Sequence, residues 1–137
     1  MIAPRVFSVK EANEILKQIE PLVQSLIEKK RKMQKLHDEL LVLDLLGGEK
    51  IKDRNTSEGK EHLEKSAELE SLILSFEEEI LHVNEFGCFL KDIEKGLVDF
   101  FHVRDKNLVY LCWKKGESKI NFWHAVDDTI DARKPLY

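Results

Sequence analysis

The chain has 137 residues, 35% of them charged and 42% hydrophobic, with a formal net charge of −4. That length and composition suit a single soluble, helix-rich domain spanning 1–137, large enough to bury a core. The acidic balance argues against nucleic-acid binding, whose usual mark is a basic face. No apolar run approaches the roughly 20 residues that a bilayer span needs. The start, "MIAPRVFSVKEAN", lacks the apolar core of a signal peptide, so the expected location is the cytoplasm. There Cys88 and Cys112, far apart and not in a CxxC pair, are expected to be free, buried thiols.

The first element is announced by "SVKE", Ser8 to Glu11, which has the form of a capping box flanked by Phe7 and Ala12 as a weak hydrophobic staple. From there apolar residues step by four and three: Ile15, Ile19, Leu22, Leu26, then Met33, Leu36, Leu40 and Leu43, with Lys29 as the one interruption. This is a coiled-coil-like heptad seam and predicts a helix over 8–46. Pro21 lies inside it and predicts a kink or brief break, because proline removes a helical N–H and clashes with the preceding turn. Gly47 and Gly48 end the element. "GGEKIKDRNTSEG" reads as a mobile loop. A second helix is expected over 57–86, with its seam at Leu69, Ile73, Phe76, Ile80 and Val83. Two long helices with a short connection predict an antiparallel hairpin. In such a hairpin the basic run Glu28 to Lys35 faces Glu68 and Glu70, so its charges read as a solvated face matched by acids.

After Gly87 the period becomes two. "CFLKDI", "LVDFFHV", "LVYLCWK" and "KINFWHA" are separated by "EKG", "RDKN" and "KGES", which have turn chemistry. A β-meander of three or four antiparallel strands is expected over 88–125, with a tail over 126–137. The fold class is therefore α+β. Closing "RDKN" and "KGES" as even-numbered hairpin loops puts Val98, Phe100, His102, Val109, Leu111, Trp113, Ile120, Phe122 and His124 on one face. Asp99, Phe101, Tyr110, Cys112, Asn121 and Trp123 then share the other. The first face should cover the helices. His102 and His124 fall in one row across Val109, at the edge of that face. The second face is too apolar to stand bare, and is expected to be covered by the tail "DDTIDARKPLY" or by another subunit.

Candidate ligand or interaction residues are accordingly Asp99, Phe101, Tyr110, Cys112, Trp123 and Arg133. Candidate metal ligands are Glu117, His124, Asp127 and Asp128, since carboxylates and an imidazole suit a divalent ion. A Cys112–His124 catalytic pair is not expected, because this register puts the two on opposite faces, and Asp99 beside Cys112 would raise the thiol pKa. No P-loop, GxGxxG, HExxH or GxSxG signature is present, and no cofactor is predicted.

The segments "FSVKEAN", "KDIEKGLVDF", "LCWKKGE", "FWH" and "ARKPL" resemble an uncharacterised prokaryotic family, a domain of unknown function, over nearly the whole chain. The chain departs from that pattern at Phe101, where a proline is common, and at Asp131 and Ala132, where a glycine often precedes the arginine. The second departure implies an altered turn in the tail. The resemblance implies no activity, cofactor or partner. Two functions of different class follow from the residues themselves. One is a non-enzymatic interaction or oligomerisation module with a protein partner or a second copy of itself. The other is a small metal- or ligand-binding enzyme using polar residues at the sheet end and the tail.

Overall fold

The computed structural model describes residues 5–137. The first four residues of the N-terminal stretch read for a signal peptide lie outside them. The fold is α+β. A helix α1 (Val9–Gly47) and a helix α2 (Ser57–Glu85) precede a five-stranded antiparallel sheet in the order β1 (Phe89–Asp92), β2 (Leu97–Arg104), β3 (Asn107–Lys114), β4 (Phe122–Ala125) and β5 (Lys134–Pro135). Among the described residues no helix is long and apolar enough to cross a membrane. The chain divides into two compact units, one comprising the stretch up to residue 27 with 79–137, the other 28–78.

In the first unit, α1 starts as its sequence requires. Ser8 Oγ accepts from Glu11 N at 3.1 Å, and Glu11 Oε1 accepts from Ser8 N at 3.0 Å, so both halves of the capping box are made. These bonds hold the Glu11 carboxyl below the usual carboxylate range. Phe7 and Ala12 are both buried. The buried stripe runs Ala12, Leu16, Ile19, Val23, Leu26 and Ile27, which corrects the seam expected through Ile15 and Leu22, both only half-buried. A sheet is a broad partner, and it selects the centre of a wide apolar arc where a single partner helix would select a narrow seam. The opposing layer is Val98, Phe100, Leu111 and Trp113, all fully buried, with Phe7 set edge-on to Phe100 at 5.3 Å. Asn13 Oδ1 accepts from Ile120 N at 2.8 Å, fixing the chain's approach to β4. The helix continues through Pro21, so of the two expected forms, a kink or a brief break, the break is absent.

The second unit is an antiparallel helical hairpin. Lys32 pairs with Glu68 at 3.3 Å, Lys65 with Glu39 at 2.6 Å, and His62 with Asp44 at 3.0 Å. Within the basic run Lys32 thus meets Glu68, as the charge pattern implied, while the other two pairs join acids of α1 to basic residues of α2. The connection is more ordered than a plain loop. A 3-10 turn over Gly48–Lys52 is followed by Thr56, whose hydroxyl donates to main-chain carbonyls of the turn and accepts from Gly59 N. Thr56 thereby caps α2.

The sheet carries one expected turn and one unexpected parity. Between β2 and β3, Asp105 and Lys106 both have positive φ, 50° and 67°, the signature of a two-residue type I′ hairpin loop. It gives the anticipated pairs Asp99–Cys112, Phe101–Tyr110 and His102–Val109. Between β3 and β4 the pairs are Val109–Ala125, Tyr110–His124, Leu111–Trp123 and Cys112–Phe122. This is one residue out from the expected register, and a one-residue slip turns every β4 side chain to the other face. The cause is an odd-numbered connection centred on Glu117. Glu117 O accepts from Trp113 Nε1 at 2.9 Å, and Glu117 Oε1 accepts from Lys114 N at 2.7 Å, so this residue folds back onto the strand end. Gly96 supports the same corner. It has φ +65°, and an added Cβ would fall 2.6 Å from Lys115 Cβ, so only glycine fits.

The tail is more structured than expected. Lys134–Pro135 adds the fifth strand on β4, beyond the three or four expected. The residues before it form a 3-10 turn over Ile130–Ala132, in which neither Asp131 nor Ala132 needs a positive φ.

Candidate functional site

The slipped register brings three chemically reactive side chains together on the outer face of the sheet. Asp99 comes from β2, Cys112 from β3 and His124 from β4. All three are buried, and each has a ligand-type atom within 4.8 Å of the others'. Neighbouring strands lie about 4.8 Å apart, so the His124 ring must lean across β3 to reach Asp99. It does so with Nε2 3.0 Å from Asp99 Oδ2. Tyr110 braces the ring from beside, with centroids 5.3 Å apart, and itself stacks on Phe101 at 5.0 Å.

Both imidazole nitrogens are engaged. Nδ1 lies 2.8 Å from Ala125 O; a carbonyl can only accept, so Nδ1 carries the proton. The Nε2 side is left to face Asp99 and Cys112. In a thiol–imidazole–carboxylate relay the thiol and the carboxylate flank opposite nitrogens. Here the carboxylate holds Nε2, the nitrogen a thiol would need, and the other is bound to the main chain. The arrangement converges on a point and is not a relay.

The electrostatics reflect burial. Desolvation pushes the Asp99 carboxyl above its ordinary value, against the opposing pull of His124 and Cys112. The Cys112 thiol is pushed up to about 12, first by desolvation and then by the Asp99 charge, with Arg133 opposing. Cys112 is thus a protonated thiol hydrogen-bonded to Asp99, whose charge raises its pKa as expected, but the expected separation of Cys112 and His124 onto opposite faces is overturned by the slipped register. Arg133 extends the network. Its Nη1 and Nη2 reach Glu117 Oε1 and Oε2 at 3.0 and 2.9 Å, and its guanidinium lies 4.1 Å from the Phe122 ring centroid. Burial works against its charge, but the Glu117 carboxylate and Cys112 hold its pKa above the ordinary value. A continuous polar chain therefore runs Glu117, Arg133, Cys112, Asp99, His124.

Beside the trio lies a cavity of about 250 Å³ lined by Lys91, Leu97, Asp99, Tyr110, Cys112, His124, Val126, Asp128, Thr129 and Ile130. The tail thus closes over this face, while Lys91 and Asp128 stand exposed at its rim.

Of the residues singled out from the sequence, Asp99, Tyr110, Cys112, His124 and Asp128 meet around this cavity, with Phe101 and Arg133 directly behind them. Glu117 is Arg133's partner rather than a ligand group. Asp127 lines a different groove with Arg104, Asn107 and Trp123. Trp123 is on the opposite face from the one expected, between Arg104 and Lys134 at 5.1 and 5.2 Å from its ring centroid. The expected His102–His124 row does not form; His102 Nδ1 instead bonds Phe7 O at 2.7 Å. Lys91 and Thr129 were missed. Alternation places Lys91 on a strand, but nothing local in the sequence marks its strand as the neighbour of the trio.

The chain matches the family model described as an uncharacterized conserved protein (DUF2203) over residues 5–136. The chain belongs to this family. No curated protein and no solved structure matches it.

Proposed function

We propose that this protein binds a divalent transition metal of the zinc class through Asp99, Cys112 and His124. The observation that carries this reading is the convergence of a carboxylate, a thiol and an imidazole from three adjacent strands, all buried, with ligand atoms within 4.8 Å. Among the described residues no other group of His, Cys, Asp or Glu side chains is so placed. A tetrahedral ion with bonds of about 2.0–2.3 Å needs donor separations of about 3.3–3.8 Å, so the His124–Asp99 pair at 3.0 Å would open slightly and the widest pair, within 4.8 Å, would close by up to about an ångström. The thiol excludes calcium and magnesium as preferred occupants, and the mixed N, O and S set suits zinc or cobalt. Nδ1 of His124 donates to Ala125 O, which leaves Nε2 as the donor and is the outer-shell contact that orients a metal-binding histidine. An ion would also resolve the burial of these groups, because a coordinated thiol is deprotonated by the metal charge. A reducing cytoplasm, where Cys112 stays a thiol, suits this reading.

The test is metal content of protein purified without chelator, followed by cobalt loading of the metal-free chain. One equivalent of metal and a sulfur-to-cobalt charge-transfer band are expected, the band lost in Cys112→Ser and retained in Cys88→Ser. Protein that takes up no ion, or that gives the same band without Cys112, rejects the site.

A second reading, self-association through the helical hairpin, has its own observation. In the 28–78 unit Leu41, Val42, Leu45, Leu46, Leu63 and Leu74 are about half or more exposed, Leu46 reaching 82%. Exposed leucines at that density favour an apolar contact, and the occupant we infer is a second copy of the chain. Sedimentation at micromolar concentration tests it: a dimer converted to monomer by Leu45→Lys with Leu46→Lys is expected, and a monomeric wild type removes the reading.

A further inference from the structure

Three protein ligands leave a tetrahedral ion one coordination position, the pattern of sites that bind water or a ligand rather than purely structural ones. The cavity lies beside those ligands, and its walls have a definite chemistry. Leu97, Val126 and Ile130 are apolar, Thr129 brings a hydroxyl, and Lys91 brings a positive charge. The Lys91 ammonium is held over two rings, 4.7 Å from the Tyr110 centroid and 5.3 Å from that of Phe89, an arrangement that positions the cation without neutralising it. The cavity volume of about 250 Å³ equals the liquid share of about eight water molecules.

The charge count narrows the ligand further. A divalent ion is balanced by the Cys112 thiolate and the Asp99 carboxylate. Lys91 and Asp128, which both line the cavity, cancel in the count without being paired to each other. A site near neutrality accepts one added negative charge more readily than two. We infer that this cavity takes a small monocarboxylate with a short aliphatic body, its carboxylate shared between the metal and Lys91. The inference rests on the metal-binding reading and names the ligand class of that same site.

The experiment uses the cobalt-loaded full chain, with butyrate as the probe and sulfate as the contrasting oxyanion. Butyrate is expected to shift the cobalt ligand-field bands saturably at millimolar concentration. Lys91→Gln is expected to weaken that binding about tenfold while the charge-transfer band at saturating cobalt keeps its amplitude. Lys95→Gln, an exposed lysine outside the cavity lining, is expected to behave as wild type. Sulfate is expected to bind at least tenfold more weakly than butyrate. A cobalt spectrum indifferent to both anions, or equal butyrate affinity in Lys91→Gln, overturns the inference while leaving the metal site standing. Sulfate binding as tight as butyrate overturns the carboxylate assignment. Absence of the cobalt charge-transfer band overturns the metal reading and this inference with it.

Discussion

Replacing Glu117 by alanine removes the group that turns the β3–β4 connection. Its carboxylate accepts hydrogen bonds from Arg133 Nη1 at 3.0 Å and from Lys114 N at 2.7 Å, and its Oε2 lies 2.9 Å from Arg133 Nη2 in the same ion pair. The Glu117 and Arg133 side chains are 20% and 22% exposed, so solvent screens the pair only in part. Hydrogen bonds to charged groups contribute about 1.5–3 kcal/mol net, and a partner left unsatisfied adds its own desolvation cost. Partial exposure lets water re-solvate Arg133, which places the expected loss at about 2–4 kcal/mol. Glu117→Gln keeps one oxygen that can accept from both Lys114 N and Arg133 Nη1 but loses the charge and the Nη2 contact, and should lose about 1–2 kcal/mol. Urea unfolding followed by tryptophan fluorescence measures both, and a double-mutant cycle with Arg133→Gln isolates the pair, for which a coupling of about 1–2 kcal/mol is expected. Trp113 keeps its bond to the Glu117 main-chain carbonyl in every variant, so its environment should change little in the folded state. A loss below about 0.5 kcal/mol in Glu117→Ala, with coupling indistinguishable from zero, would refute the claim that this carboxylate holds the connection.

The thiols supply a pH-dependent test. Burial raises Cys88 and Cys112 from 9.0 to about 12, so in metal-free protein the thiolate fraction near pH 8 is about a thousandfold below that of the unfolded chain. Aromatic disulfide reagents should label neither thiol rapidly until the chain unfolds; one equivalent reacting at the denatured rate would contradict this. The folded state keeps protons that the unfolded chain loses above about pH 9, so metal-free stability should fall as pH rises from 9 toward 12. A urea midpoint that is flat or rising over that range would show the opposite linkage. Finally, Pro21 is exposed within α1, where it removes one helical hydrogen bond. Pro21→Ala should stabilise the chain by about 1–3 kcal/mol, read as a higher thermal midpoint; an unchanged midpoint would mean the helix has already adapted around the ring.

Much of this architecture is decided by local chemistry and was legible in the residues. The Ser8–Glu11 box starts α1, Gly47 ends it, and the 4-3 spacing carries both helices, because capping and helical periodicity act within a turn or two. The Lys32–Glu68 pair across the 28–78 hairpin was legible from the antiparallel pairing, whereas Lys65–Glu39 and His62–Asp44 were not. Alternation within β2 and β3 placed Asp99 with Cys112 and Phe101 with Tyr110, since a two-residue turn admits one register.

The functional site depended on something alternation does not contain. Asn121, Phe122, Trp123 and His124 alternate correctly in either register, and only the parity of the connection before them decides which pair faces the cavity. Glu117 settles that parity through Arg133, a residue sixteen positions further on, and through main-chain contacts that exist only once the sheet has formed. The centre of the buried arc on α1 was likewise set by the breadth of the sheet it covers. The residues of the trio are local facts of three strands. Their meeting is a tertiary fact, created by a one-residue slip that turned His124 from the helix side toward Asp99 and Cys112.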